Sequence, residues 1–125
     1  MLKDARLIGF AASADLARAR HFYQGTLGLA VLDASPTVLV IDCGGTMLRI
    51  SRVEKPSIAP YTVLGWRVVD IETTVGQLRD AGVTFERFPG FPHGESGIMA
   101  FPSGDRVAWF KDPDGNLLSL TQFAH

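Results

Sequence analysis

The chain has 125 residues, of which 46% are hydrophobic and 20% are charged, and its formal net charge is −1. A chain of this length is expected to form one domain with a sizeable core, and its composition is that of a globular protein rather than a disordered one. The balanced charge and the lack of a Lys/Arg run argue against a nucleic-acid partner.

Cysteine usage and the amino-terminal residues favour an ordinary cytoplasmic protein. The single cysteine, Cys43, excludes an intramolecular disulfide, and its apolar surroundings favour a buried structural thiol. The first residues lack the apolar stretch of a signal peptide. We therefore expect no membrane partner.

The first half of the chain predicts the order β-α-β-β-β. Residues 6–12 predict a strand, and Ser13 and Asp15 offer capping oxygens to a helix that runs through Tyr23 and ends at the following glycines. Three β-rich runs follow, at residues 29–32, 37–43 and 46–53. We therefore expect a first module at about residues 5–53.

The second half predicts the same order after a proline-containing linker at about residues 54–61. A strand at 62–69 leads to a helix that Asp70 caps and Gly82 ends. A further strand is predicted at 83–87, followed by a glycine- and proline-rich loop and the last three strands at 97–101, 106–111 and 117–123. The second module is expected at about residues 62–123.

One turn-and-strand sequence occurs in both halves at a constant offset. DCGGTMLRIS begins at Asp42, and DPDGNLLSLT begins at Asp112, so that Arg49 corresponds to Ser119. Asp, Asn, Pro and Gly are the residues that tight turns require. Two copies of one β-α-β-β-β unit, each too small to bury its sheet alone, predict an α+β fold with the helices outside.

The sequence resembles the vicinal oxygen chelate superfamily, also called the glyoxalase/bleomycin resistance protein/dioxygenase superfamily. The resemblance is carried by DLARARHFYQGTLGL at residues 15–29, VVDI at 68–71 and VAWFKDPDGN at 107–116, and it spans nearly the whole chain. It implies two βαβββ modules that form a curled mixed sheet around a cleft. It also implies a homodimer, since members often build their clefts across two chains.

Enzymes of this family hold a divalent metal with one His, Gln or Glu from each of four strands. The resemblance places these positions at Leu7 or Ile8, Arg49, Val63 and Ser119. Hydrocarbons cannot coordinate a metal, serine is a weak ligand, and Arg49 would bring a permanent positive charge to the site. We therefore expect no metal cofactor.

A relocated metal site at His93 and Glu95 is the weaker interpretation of those two loop residues, which are expected to be solvated. Ser119 is not interpreted as a nucleophile, because no histidine occupies a matched position that would activate it.

Strand alternation directs Arg49 and Ser119 into the implied cleft, and it turns Val63 and Arg67 inward as well. A guanidinium binds a carboxylate or phosphate with two hydrogen bonds, so the arginines predict an anion site. The alternative is that Arg49 pairs with an acidic residue of the chain, for which Asp42, Asp105 and Glu95 are candidates, and that Arg67 lies at a solvated edge.

Trp109 and Met99 are candidates to line the same cleft, since aromatic and thioether groups suit apolar ligands. Alternation does not fix the face of Trp109, and a core position is favoured.

These observations predict a metal-free protein that binds a small organic molecule, anionic or aromatic, as the drug-sequestering members of the resembled family do. Two alternatives stay open. One is a metal-dependent lyase or dioxygenase with non-standard ligands, and the other is a structural or partner-binding domain with a closed cleft.

Overall fold

Eight strands form two four-stranded sheets in the computed structural model, which describes residues 1–125. The chain divides into two units, Met1–Ile58 and Ala59–His125, and each unit contains one sheet. The boundary falls within the segment predicted as a linker. Both units have the element order β-α-β-β-β, so the predicted fold class is confirmed.

The first sheet has the strand order β1-β4-β3-β2. Its strands are β1 (Ile8–Ser13), β2 (Ala30–Ala34), β3 (Val38–Cys43) and β4 (Thr46–Arg52). Strand β1 is parallel to β4, whereas β3 is antiparallel to both β4 and β2. The central strand β4 therefore presents its side chains between β1 and β3 on both faces of the sheet.

The first helix is shorter than predicted and continues in another form. Helix α1 (Leu16–Arg20) begins after Asp15, whose carboxylate accepts a hydrogen bond from the Arg18 N–H at 3.1 Å. A π-helical segment follows at His21–Thr26, in which the Leu27 N–H donates to the carbonyl of Phe22 at 2.9 Å. This wider turn still buries Tyr23 completely.

The core of the first unit lies between α1 and one face of the sheet. Leu39 and Ile41 of β3 and Leu48 and Ile50 of β4 are at most 2% exposed, and α1 contacts both strands. Burial of such side chains contributes roughly 1.5–3 kcal/mol each. The opposite face of this sheet is therefore the one that Arg49 occupies.

The second sheet has the strand order β5-β8-β7-β6. Its elements are β5 (Leu64–Arg67), α2 (Ile71–Asp80), β6 (Met99–Ala100), β7 (Arg106–Lys111) and β8 (Leu117–Gln122). Strand β5 is parallel to β8, as β1 is to β4. Buried side chains of α2 pack on the sheet face of Phe110, Leu118 and Leu120.

Residues 83–87 do not form the strand that their sequence predicts. Only Phe85 makes a β-bridge, to Phe110, and the Glu86 N–H donates to the carbonyl of Trp109 at 2.7 Å. The strand predicted at 97–101 is reduced to two residues, since the Ile98 carbonyl accepts from the N–H of Gly94 in the preceding loop. The other strands and α2 end within two residues of the predicted positions.

The sequence repeat is a structural repeat. Gly45 and Gly115 have φ values of 94° and 92°, which glycine adopts without strain, and each precedes the central strand of its sheet. Arg49 and Ser119 consequently occupy matched positions in β4 and β8. No helix in the structure has the length and apolar character needed to span a membrane.

Candidate functional site

Arg49 lies on the face of the first sheet that is turned away from α1. This surface, here called the Arg49 face, contains Ile8, Phe10, Ala12, Val38, Val40, Asp42, Met47, Arg49 and Ser51, as the strand register requires. Arg49 is level with Phe10 of β1 on one side and with Val40 of β3 on the other. The Phe10 side chain is 63% exposed, whereas Val40 is buried.

The guanidinium of Arg49 has no counter-ion, although its side chain is half-buried. It forms no ion pair and no hydrogen bond with another residue. The carboxylate of Asp42, which the sequence offered as a partner, instead accepts a hydrogen bond from the Gly45 N–H at 2.9 Å. Asp105 accepts one from the Ala124 N–H at 2.9 Å. The first sheet therefore presents an unneutralised cation beside an exposed aromatic ring.

The register of β1 determines which of its residues accompany Arg49. Leu7 precedes the strand and is 78% exposed, whereas Ile8 is the first strand residue and is level with Met47. Phe10, which the sequence analysis did not select, is the residue beside Arg49. The only sequence signal for Phe10 was that it lies two positions after Ile8, and therefore on the same face of β1. Its position beside Arg49 also depends on the pairing of β1 with β4, which neither strand reveals alone.

Ser119 lies at the centre of the matching face of the second sheet, here called the Trp109 face. Gly65, Ser119 and Trp109 form one row across β5, β8 and β7. A Cβ atom on Gly65 would lie 2.8 Å from the Ser119 Oγ, so the hydroxyl occupies space that only glycine leaves. Ser119 is buried, and its hydroxyl forms no hydrogen bond with the protein. Val63 lies beside Leu117, to whose carbonyl its N–H donates at 3.0 Å.

The Trp109 side chain lies on the same face of the sheet as Ser119 and is half-buried. The core position that the sequence favoured for Trp109 is therefore wrong. The fully buried neighbour Phe110 occupies the core face instead. The Trp109 ring packs edge-on against Phe88 at a centroid distance of 5.3 Å and against His93 at 5.8 Å. These three rings form an aromatic cluster at one side of the Trp109 face.

Backbone groups occupy both ring nitrogens of His93. Its Nε2 accepts a hydrogen bond from the Phe88 N–H at 3.0 Å, and its Nδ1 lies 3.0 Å from the Gly97 carbonyl oxygen. These partners require the neutral tautomer with the proton on Nδ1. Neither nitrogen is available to a metal in this arrangement, and Glu95 is exposed.

Arg67 is exposed and Met99 is buried, and both contact other residues of the protein. Arg67 places its guanidinium 5.2 Å from the centroid of the Phe123 ring and donates to the His125 carbonyl at 3.3 Å. Met99 is level with Val107 on the Trp109 face, but only 8% of it is exposed. Arg67 is thus exposed on an edge strand, whereas Met99 interacts mainly with the protein itself.

The positions at which related enzymes hold a metal do not offer a fitting donor set. Ile8 and Val63 are hydrocarbons, Arg49 is a cation, and Ser119 supplies one hydroxyl. No three or more His, Cys, Asp or Glu side chains are grouped where they could hold a metal ion. The Arg49 face offers a guanidinium and an aromatic ring, and the Trp109 face offers a hydroxyl and aromatic surface of its own.

Comparisons with known proteins place this geometry in a family. The family model described as Glyoxalase/Bleomycin resistance protein/Dioxygenase superfamily matches residues 10–120. A sequence comparison with curated proteins gave no match.

Solved structures with the same fold include proteins with different named activities. Lactoylglutathione lyase from Agrobacterium tumefaciens is 17% identical, with a TM-score of 0.76 over 98% of this chain and 96% of that one. TnmS3, an antibiotic binding protein from Streptomyces sp. CB03234, is 24% identical, with a TM-score of 0.73 over 99% of each chain. A superfamily member from Sphaerobacter thermophilus DSM 20745 is 22% identical, with a TM-score of 0.73 over 98% of this chain and 99% of that one. At these identities the likeness concerns the fold alone.

Proposed function

The chain belongs to the glyoxalase/bleomycin resistance protein/dioxygenase superfamily, and we propose that it is a metal-free member that binds a small aromatic acid. The observation that carries this proposal is the half-buried guanidinium of Arg49, which has no counter-ion and lies beside the exposed ring of Phe10. A charge that is partly removed from water and left unpaired is costly to the folded protein. A bound anion would offset that cost.

The chemistry of Arg49 favours a carboxylate or phosphate as the recognised group. A guanidinium is planar and donates two parallel hydrogen bonds to such a group, and hydrogen bonds to charged groups contribute about 1.5–3 kcal/mol. Phe10 would add an aromatic surface for the remainder of the ligand, because aromatic pairs prefer stacked or edge-on contacts. Together these two residues select for an acid attached to a ring.

The Trp109 face of the second unit offers binding groups of its own. Trp109 offers apolar aromatic surface, and the unpaired hydroxyl of Ser119 can donate or accept one hydrogen bond. Neither residue is charged, and no base forms a hydrogen bond with the Ser119 hydroxyl. This face therefore supports binding rather than covalent chemistry.

Arg49 is also the reason for proposing that binding needs no metal. A positive guanidinium at a family ligand position repels a divalent cation and already provides the anion contact that a metal would otherwise make. One structural neighbour is named as an antibiotic binding protein, which is consistent with a binding role on this fold. We further propose that the protein functions as a homodimer, which light scattering during size-exclusion chromatography would test.

Isothermal titration calorimetry with matched probes tests the proposal. Benzoate and phenyl phosphate carry the anion, whereas benzamide presents the same ring without charge. We expect wild-type protein to bind the anions at least tenfold more tightly than benzamide, since about 1.4 kcal/mol corresponds to a factor of ten. Arg49→Gln should abolish this preference.

Arg52→Gln is the matched control. Arg52 lies on the same strand, is exposed, and belongs by alternation to the opposite face of the sheet. Its substitution removes one positive charge and should leave the preference for anions intact. Equal binding of benzoate and benzamide, or equal losses in the two variants, would contradict the proposal.

A further inference from the structure

A β-bulge places an acidic residue on the Arg49 face. Strand β2 is in regular register at Val31, which pairs with Ile41, but the register shifts before Asp33, which pairs with Val40. Without the shift, Leu32 would lie opposite Val40, and Asp33 would face the core beside Leu39. The bulge therefore brings a carboxylate onto the face that carries Arg49. Bulges of this kind often redirect a side chain near a functional site.

Asp33 and Arg49 lie in one row across the sheet but do not neutralise each other. The row runs through Phe10, Arg49, Val40 and Asp33, which belong to β1, β4, β3 and β2. Two strand spacings separate the Cα atoms of Asp33 and Arg49, which is about 10 Å. The two side chains form no ion pair, and the Asp33 carboxylate accepts no hydrogen bond. This row thus presents a cation and an anion that are held apart by buried Val40, whereas Asp42, which is level with Met47 on the same face, accepts a hydrogen bond from the Gly45 N–H.

We infer that the ligand is zwitterionic, with its acid group on Arg49 and a protonated amine on Asp33. This inference rests on the proposed function and narrows its ligand class. A molecule that spans the two charges would gain a charge-assisted hydrogen bond at each end. A simple acid would satisfy only Arg49, and it would also be repelled by the negative charge of Asp33. The amine therefore determines specificity among aromatic acids.

Three benzene derivatives separate the contribution of the acid from that of the amine in a calorimetric titration. 4-(Aminomethyl)benzoate carries both charges, 4-methylbenzoate carries only the acid, and benzylamine carries only the amine. We expect wild-type protein to bind 4-(aminomethyl)benzoate about tenfold more tightly than 4-methylbenzoate, which corresponds to one additional charge-assisted hydrogen bond.

Substitution of Asp33 should change the affinities for the zwitterion and for 4-methylbenzoate in opposite directions. Asp33→Asn should weaken binding of the zwitterion and strengthen binding of 4-methylbenzoate, because the repulsion of the acid is removed. Asp4→Asn removes the same charge from an exposed residue outside the sheet and should preserve the wild-type ratio. Thermal melts of each variant would verify that the folded state is retained.

The outcomes distinguish this inference from the function on which it rests. If 4-methylbenzoate binds through Arg49 but the zwitterion binds no more tightly, or if Asp33→Asn leaves the ratio of affinities unchanged, the zwitterion inference is wrong and the proposed function stands. If no acid binds, or if Arg49→Gln has no effect, both are overturned. Opposite shifts for the two acids in Asp33→Asn would support the inference.

Discussion

The repeated turn permits a controlled test of how buried hydrogen bonds stabilise this fold. In the second unit, the Asp112 carboxylate accepts hydrogen bonds from the Asp114 N–H at 3.0 Å, the Asn116 N–H at 2.9 Å and the Asn116 side-chain amide at 2.8 Å. Asp112 is 6% exposed, so the donors that lose it in Asp112→Ala would not all regain water. The equivalent Asp42 is half-buried and accepts one such bond, from Gly45 at 2.9 Å.

The expected losses of unfolding free energy differ because the two carboxylates accept different numbers of hydrogen bonds. At about 1 kcal/mol for each net hydrogen bond, Asp112→Ala should lower the free energy of unfolding by about 3 kcal/mol, and Asp42→Ala by about 1 kcal/mol. Buried donors that are left without an acceptor would increase the loss of unfolding free energy for Asp112→Ala, but not the loss for Asp42→Ala. The two substitutions are chemically identical and occupy matched positions, so each serves as the control for the other.

Urea denaturation of wild-type protein and both variants would measure these losses. The dependence of the free energy on urea concentration should be the same in all three proteins, which would show that the extent of unfolding is unchanged. Equal destabilisation by the two substitutions, or a loss below about 1 kcal/mol for Asp112→Ala, would refute the assignment of the stabilising role to the buried carboxylate.

Three further substitutions test local features of the fold by the same denaturation assay. Gly76→Ala should stabilise the protein by about 0.4–1 kcal/mol, because Gly76 lies inside α2 and a Cβ atom there would meet no other atom within 4 Å; destabilisation would contradict this. Gly97→Ala should destabilise it by roughly 1–3 kcal/mol, since Gly97 has a φ of 91° and its Cβ would lie 3.1 Å from Phe85; a neutral effect would contradict the strain. Hydrogen bonds from the hydroxyl (2.8 Å) and N–H (3.2 Å) of Thr73 hold the pKa of Asp70 below its usual value of 3.8. The stabilisation from ionised Asp70 is therefore fully present above that value and is lost as the pH falls through the lowered pKa. Asp70→Asn should consequently be less stable than wild type at neutral pH, with a difference that disappears in acid, whereas a difference independent of pH would contradict the assignment.

The parts of the fold that follow from local chemistry could be predicted from the sequence. The turns before β4 and β8 require a residue with positive φ, and Gly45 and Gly115 supply it. The helices begin at Asp15 and Asp70, whose carboxylates cap them. Each of these features depends on residues within a few positions of one another, so the sequence pattern contains the necessary information.

Features that depend on pairing between distant segments were missed or mistaken. Residues 83–87 have the composition of a strand, but only Phe85 finds a bridge partner. The position of Phe10 beside Arg49 follows from the register of β1 against β4, and the position of Asp33 follows from a bulge in β2. A shift of one residue would turn either side chain to the other face, and no pattern within the strand itself reveals that shift.

The candidate site, like the fold, could be predicted where it depends on local sequence pattern but not where it depends on pairing between strands. Alternation and the family resemblance led to Arg49 and Ser119, because their positions could be transferred along the repeated turn-and-strand sequence. The absence of a counter-ion for Arg49 could not be predicted, since Asp42 was an equally plausible partner until its hydrogen bond to Gly45 was known. The residues beside Arg49 required the three-dimensional register.

The most direct test of the central claim is a titration of 4-methylbenzoate into wild-type protein and Arg49→Gln, each in EDTA and each after addition of Zn²⁺ or Ni²⁺. We predict that wild-type protein binds the acid with the same affinity in EDTA as with metal, and that Arg49→Gln loses binding under both conditions. Binding that appears only after metal is added, or that persists in Arg49→Gln, would contradict a metal-free anion site at Arg49.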